Sequence, residues 1–255
     1  MHKFDAACIS KKWISIFFFI EKMIRNIEIR KHNLFYICTM FDTTIYIGKI
    51  AIHEPVGVFT DCIIMILCMF FYKNLSPINK VIQYWRLFFL FLGFSTIVGA
   101  CSHAFFAIHQ GWAYKSFWLP MQLINGIAVY FAQKATLISV LKNSKYYKFW
   151  KWFYILQFIT YCILLFSIQK YLVTVIENLI GLVPIMIIHF EAKKKERYYT
   201  WIGFGISISF IAGVVHATKA SLHAYFNYND IAHIIIMISL SVIYLGLKRK
   251  VPTGL

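Results

Sequence analysis

The sequence predicts an all-α bundle of seven transmembrane helices, with the start of helix one outside and the C-terminus in the cytoplasm. Three observations carry that expectation. Of 255 residues, 60% are hydrophobic and only 14% charged, whereas a soluble domain is nearer half apolar and a quarter charged. The apolar residues fall into seven runs, each near the ~20 residues needed to cross the hydrocarbon core. Lysine and arginine collect in alternate loops, the asymmetry that sets orientation in a bilayer. A cell or inner membrane is therefore the expected location and the lipid bilayer the expected partner. Nucleic acid is not expected, despite a net charge of +16, because the cations sit in short clusters between apolar runs.

Residues 1–39 stand apart. Their longest apolar run, Trp13 to Ile20, is too short to span. Trp13, Phe17, Ile20, Ile24 and Ile27 follow helical spacing among Lys11, Lys12, Lys22, Arg25, Arg30 and Lys31, which reads as a basic amphipathic helix on a membrane surface. Equally, Met40 can be the true start and the preceding stretch a gene-model artefact. No small-residue cleavage site marks a secretory signal.

Residues 40–255 form the transmembrane domain, with apolar segments at 55–72, 84–108, 117–140, 149–168, 171–190, 199–218 and 231–247. Pro55 falls in a first helical turn, where proline is tolerated. Short connections make sequence neighbours spatial neighbours, and no repeat or linker marks a second domain. The six cysteines form no CxxC pair and read as small buried hydrophobes.

Loop charge gives the orientation. Lys73 and Lys80 follow segment one, Lys142, Lys145 and Lys148 follow three, Lys193, Lys194, Lys195 and Arg197 follow five, and Lys248, Arg249 and Lys250 follow seven. The other side holds one cation per loop, Lys115, Lys170 and Lys219. The richer side is expected to be cytoplasmic.

With that orientation, the polar residues inside the segments sort to the outer half. They are Glu54 and Asp61 on segment one, Ser102 and His103 on two, Gln122 and Asn125 on three, Glu177 and Asn178 on five, His216 on six, and Asp230 and His233 on seven. Ionisable groups at membrane depth are costly and are functional candidates by default. A converging outward-facing pocket is the sharper expectation; separate helix-bonding roles are the blander one. Asp61, within FTDCIIMILCMFF, must be paired or protonated. Asp230 and His233, three apart, share a helix face. Asp230 has an alternative role with Asn227 or Asn229 as a helix cap; His233 lies one turn deeper, where no cap is needed.

The histidines near the end of helix two and the start of helix seven resemble the superfamily of alkaline ceramidases, progestin/adipoQ-type receptors and Per1-like proteins. Its pattern is Ser-x3-His on helix two, an Asp near helix three and His-x3-His on helix seven. His103 and His233 match. Gly99 stands where the serine would be, with Ser102 beside His103 instead; Asn229 replaces the first helix-seven histidine, and no Asp lies between Asp61 and Asp230. The phrases FNYNDIAH and HEPVGVFTD also look like a group of bacterial multi-pass proteins distantly related to that superfamily. The resemblance implies zinc and hydrolysis of lipid amides.

The chemistry can be set out from the residues themselves. A catalytic zinc takes three protein ligands and keeps a fourth position open. His103 and His233 with Asp230 or His223 are the expected metal ligands. Glu54 or Asp61 is the expected orienter or general base, with Ser102 a further catalytic candidate. Taken with the resemblance, the expected function is a metal-dependent hydrolase of a lipid amide or ester. The alternative is a transporter or receptor using Asp61, Glu177 and Asp230, and a third reading is a structural protein whose polar groups pin helices together. Retinal is disfavoured because segment seven lacks a Schiff-base lysine.

Overall fold

Among the described residues, seven helices form where the apolar runs lie, and local capping signals set their limits. The structure, a computed structural model, describes residues 44–47, 50–105, 112–192, 196–223 and 226–250. The chain divides at Asp42/Thr43 into two units, and the described residues belong to the second. The amphipathic helix expected within residues 1–39 lies outside them.

A short antiparallel hairpin of β1 (Ile45–Ile47) and β2 (Ile50–Ile52) pairs Ile45 with Ile52. The helices follow as α1 (Pro55–Asn74), α2 (Lys80–Ala104), α3 (Trp112–Ser139), α4 (Tyr147–Ile168), α5 (Tyr171–Ala192), α6 (Tyr198–Thr218) and α7 (Tyr228–Lys250). Six of them are long and apolar enough to cross a membrane. The exception is α3. Its 28 residues suffice in length, but Gln122, Asn125, Gln133 and Lys134 lower its apolarity.

Several helices start earlier than hydropathy suggests, because polar first turns are held by caps. Asn79 Oδ1 accepts from the Ile82 N–H at 3.0 Å and starts α2 four residues before the apolar run. The polar first turn of α7 similarly adds Tyr228, Asn229 and Asp230. The hairpin had no clear sequence signal. Its trailing His53 donates its backbone N–H to the Ala104 carbonyl at 3.1 Å, fastening the entry of α1 to the end of α2.

Sequence neighbours pack together, and α7 returns against α1. Phe71 on α1 stacks on Tyr244 of α7 at 4.3 Å and meets Phe89 of α2 edge-on at 5.2 Å. Where α6 crosses α7, Gly205 permits near-backbone contact: a Cβ there would lie 2.4 Å from Ile243 Cγ1. Ser239 uses that proximity to donate to the Gly205 carbonyl at 2.7 Å. Small residues at such crossings are how membrane helices approach closely. By contrast, α4 turns Trp152, Leu156, Ile159, Ile163 and Phe166 outward, the apolar surface a lipid-facing helix presents.

The intramembrane polar residues form more than one network. Asn125 donates to Asn178 at 3.2 Å, Gln133 to Gln157 at 2.9 Å, and Gln157 to the Glu177 carbonyl at 3.4 Å. Tyr161 donates to the Gln122 carbonyl at 2.7 Å. These bonds join α3, α4 and α5. Asn125 and Asn178 are thus engaged there through their side chains, and Gln122 and Glu177 through their backbone carbonyls, while a different group of residues gathers among α1, α2 and α7.

Candidate metal centre

Because α1 and α7 begin at the end of the bundle where α2 finishes, three side chains from separate helices meet. Asp61 lies nearly two turns into α1, His103 in the last turn of α2, and His233 in the second turn of α7. One carboxylate oxygen and one nitrogen from each histidine all fall within 4.8 Å of one another. Asp61 Oδ1 is 3.6 Å from His233 Nε2, and Oδ2 is 3.9 Å from His103 Nε2. Two metal–ligand bonds of ~2.1 Å span at most ~4.2 Å, so both pairs can share an ion. The imidazoles are nearly perpendicular, with centroids 5.9 Å apart.

Each histidine is held from behind. His103 Nδ1 is 2.5 Å from Glu54 Oε2, so the carboxylate accepts from Nδ1–H and leaves the Nε2 lone pair facing Asp61. Thr60 Oγ1 lies 3.0 and 3.1 Å from the carbonyls of Val56 and Gly57, to which its single hydroxyl proton is directed. It is therefore left to accept from His233 Nδ1–H at 2.7 Å, and His233 Nε2 also faces the centre. A metal-binding histidine characteristically has its second nitrogen engaged in this way.

Backbone geometry supports the arrangement. Glu54 adopts φ 46° and ψ 55°, the left-handed region that is uncommon for a residue with a Cβ. It occupies the N-cap position of α1, yet its side chain makes no cap bond and reaches His103 instead. On α2, Gly99 faces Asp61: a Cβ there would sit 2.9 Å from Asp61 Oδ2 and 3.0 Å from Met121 Sδ. Glycine at this position leaves the carboxylate its space.

The structure sorts the expected residues. His103 and His233 meet as expected, and the third member of the group is Asp61, which sequence had placed as an orienter or base. Glu54 takes the orienting role. Asp230 is not in the ligand group. Its Oδ2 accepts from the Asn227 N–H at 2.8 Å, while Asn227 Oδ1 accepts from the Asn229 N–H at 2.7 Å. Asn227 thus caps α7 through the Asn229 N–H, and Asp230 serves the N–H of the capping residue as the acid of a capping box does, the alternative role open for Asp230 in the sequence. His223 is exposed in the loop before α7, its backbone bridged to Phe226, and is not in the ligand group. Ser102 is buried beside His103 in the chain but points about 100° away around the helix. His216 packs between Tyr171 and Tyr228, at 4.6 and 5.2 Å between centroids.

Thr60 was missed by sequence reasoning. Its signal was adjacency to Asp61 within an apolar run, where a threonine ordinarily satisfies itself on the preceding turn. This one does so and still has an acceptor lone pair to offer.

A profile described as a family of unknown function (DUF6962) matches residues 56–252, which include Asp61, His103 and His233. No curated protein and no solved structure matches the chain. None of these comparisons links the chain to the ceramidase and adipoQ-receptor superfamily.

Proposed function

The chain belongs to this family of unknown function, and from that premise we propose that it is a multi-pass membrane protein in which Asp61, His103 and His233 hold a divalent cation, zinc being the best match to the donor set, for hydrolysis of a lipid amide or ester. The observation carrying this reading is that both histidines have Nδ1 bonded outward, to Glu54 and Thr60, while both Nε2 atoms face Asp61. Three protein ligands leave one position for water or substrate. Bound there, the cation supplies Lewis acidity and lowers the pKa of coordinated water toward neutrality.

Depth supports a lipid substrate. Asp61 lies six residues past the start of α1 and His233 five past the start of α7, roughly 9 and 8 Å along the helix axes at 1.5 Å per residue. For helices that span a hydrocarbon core of ~30 Å, that is within its outer third, on the side from which a lipid's acyl linkage is nearest. Loop charge assigns this end to the outside.

Metal content of the purified protein tests the reading. Wild type should retain zinc, and His103→Ala, His233→Ala and Asp61→Asn should each lose it, since the shell is then incomplete. Wild-type protein purified with zinc present that retains none would refute the centre. A preparation that holds zinc but cleaves no amide- or ester-linked lipid would keep the centre and reject the hydrolase.

A further inference from the structure

Lys134 lies on α3 five residues before its end, at the end of the bundle opposite the metal centre. The 28 residues of α3 extend over roughly 42 Å, about 12 Å more than the hydrocarbon core. With that excess shared between the two ends, the Lys134 backbone falls near the edge of the core. A charge there is costly unless it reaches water, a headgroup or a partner.

The fold gives this ammonium rings and no anion. It lies 5.0 Å from the centroid of Tyr130 and 5.5 Å from that of Tyr84 on α2. Among the described residues it makes no hydrogen bond or ion pair. Two tyrosine faces stabilise the charge, but an ammonium has three N–H donors to place. Arg86, six residues into α2 from the same end, is engaged differently. Its Nε donates to the Tyr72 carbonyl at 3.0 Å and its guanidinium lies 4.5 Å over the Tyr72 ring, which fastens α1 to α2.

From Lys134 inward the surface is aromatic. Tyr84 stacks on Phe131 at 6.1 Å, Phe131 on Phe91 at 5.3 Å, and Tyr130 on Phe158 of α4 at 5.4 Å. All five rings are half-buried, so each keeps some surface outward. They lie four to eleven residues from the helix ends on this side, roughly 6 to 16 Å into the bundle. A cation at the rim of an apolar wall has the polarity of a phospholipid, phosphate above and acyl chain below. Lys73, Lys80, Lys142, Lys145 and Lys148 surround this end, against Glu191 and Glu196. That excess favours an anionic headgroup over a zwitterionic one.

We propose that the α2–α3 seam at Lys134 binds an anionic phospholipid, its phosphate on the ammonium and an acyl chain along Tyr84, Phe131 and Phe91. Lysine is a common phosphate partner, and its long stem lets the charge rise to the headgroups while the backbone stays at the core edge. Free phosphate satisfies the ammonium alone, whereas a lipid also covers the rings. The inference requires the helices to span a bilayer and is independent of the metal centre.

The test titrates full-length protein in detergent with phosphatidylglycerol, and separately with phosphatidylcholine, and reads bound lipid by native mass spectrometry. Wild type should take up one phosphatidylglycerol in preference to phosphatidylcholine. Lys134→Gln should weaken that step by about fivefold or more, the effect of one basic residue near an anionic headgroup. Lys134→Arg keeps the charge and should bind like wild type, and Lys151→Gln, which removes an exposed cation at the same end, should change nothing. Phe131→Ala should weaken binding with Lys134 in place. Equal uptake of the two lipids by wild type, or wild-type binding by Lys134→Gln, overturns the site. Equal losses in Lys134→Gln and Lys151→Gln would reduce it to diffuse charge and overturn it too. Full displacement of the lipid by inorganic phosphate would make it a free-anion site and overturn the lipid assignment. Zinc content of the same preparations reads the metal centre separately.

Discussion

Glu54 and His103 are bonded across the α1–α2 interface at 2.5 Å, carboxylate to Nδ1, and the imidazole thereby presents Nε2 to Asp61. Glu54 is also one of three non-glycine residues with positive φ among those described. A backbone held in a sparsely populated region persists only where its surroundings over-determine it. Here, the Pro55 start of α1 and the His103 bond act together on one residue.

Glu54→Gln should lower metal affinity by about 10–100-fold, the usual cost of losing a partner behind a metal-binding histidine. The amide can still accept from Nδ1–H but carries no charge to strengthen the bond. Chelator competition measures the affinity, and thermal unfolding of the metal-free protein provides the control. An equal drop in metal-free stability with unchanged affinity would make Glu54 a structural residue only.

Thr60→Val should act in the same direction on His233, by about tenfold or more, because valine keeps the shape and removes the acceptor. Thr60→Ser should restore most of the affinity. If valine and serine variants bind equally, the hydroxyl does not set the orientation of His233.

Much of this fold was legible in the sequence, because a membrane span must be long, apolar and internally hydrogen-bonded. The seven runs could be read directly, and α4 or α6 needed little else. The limits of α2 and α7 were less visible, since Asn79 and Asn227 add polar turns that hydropathy leaves out. Site assembly was legible for His103 and His233, which no cap or interface role claims. It failed for Asp61 and Asp230, two acids with similar local sequence cues. Only the helix packing shows that Asp61 faces both imidazoles while Asp230 turns one oxygen to the Asn227 amide. The supposed single outer pocket was likewise too simple. Depth along a helix says nothing of direction around it, and Glu177 lies at the α3–α4–α5 amide network.

Orientation gives a separate prediction, motivated by the loop cations. In a background lacking native cysteines, Ser144→Cys and Glu196→Cys should resist a membrane-impermeant maleimide in intact cells. Ser221→Cys, exposed in the loop before α7, should react. The reverse pattern would place the metal centre at the cytoplasmic face.

Gly99→Ala tests the centre without deleting any ligand or its partner. The added methyl would meet Asp61 Oδ2 at 2.9 Å and Met121 Sδ at 3.0 Å, both too close for a Cβ without movement. Met121 ends in a flexible thioether and can yield. Asp61 cannot yield freely, because its two oxygens lie opposite His233 and His103 at 3.6 and 3.9 Å. The expected result is a fall in metal affinity of about tenfold or more, comparable with losing an orienting partner. Adding Met121→Ala relieves only the sulfur contact, so the double variant should remain weak. Full recovery in the double variant would mean that Asp61 had not been displaced, and that the space beside Gly99 serves packing of α2 on α3 rather than the carboxylate.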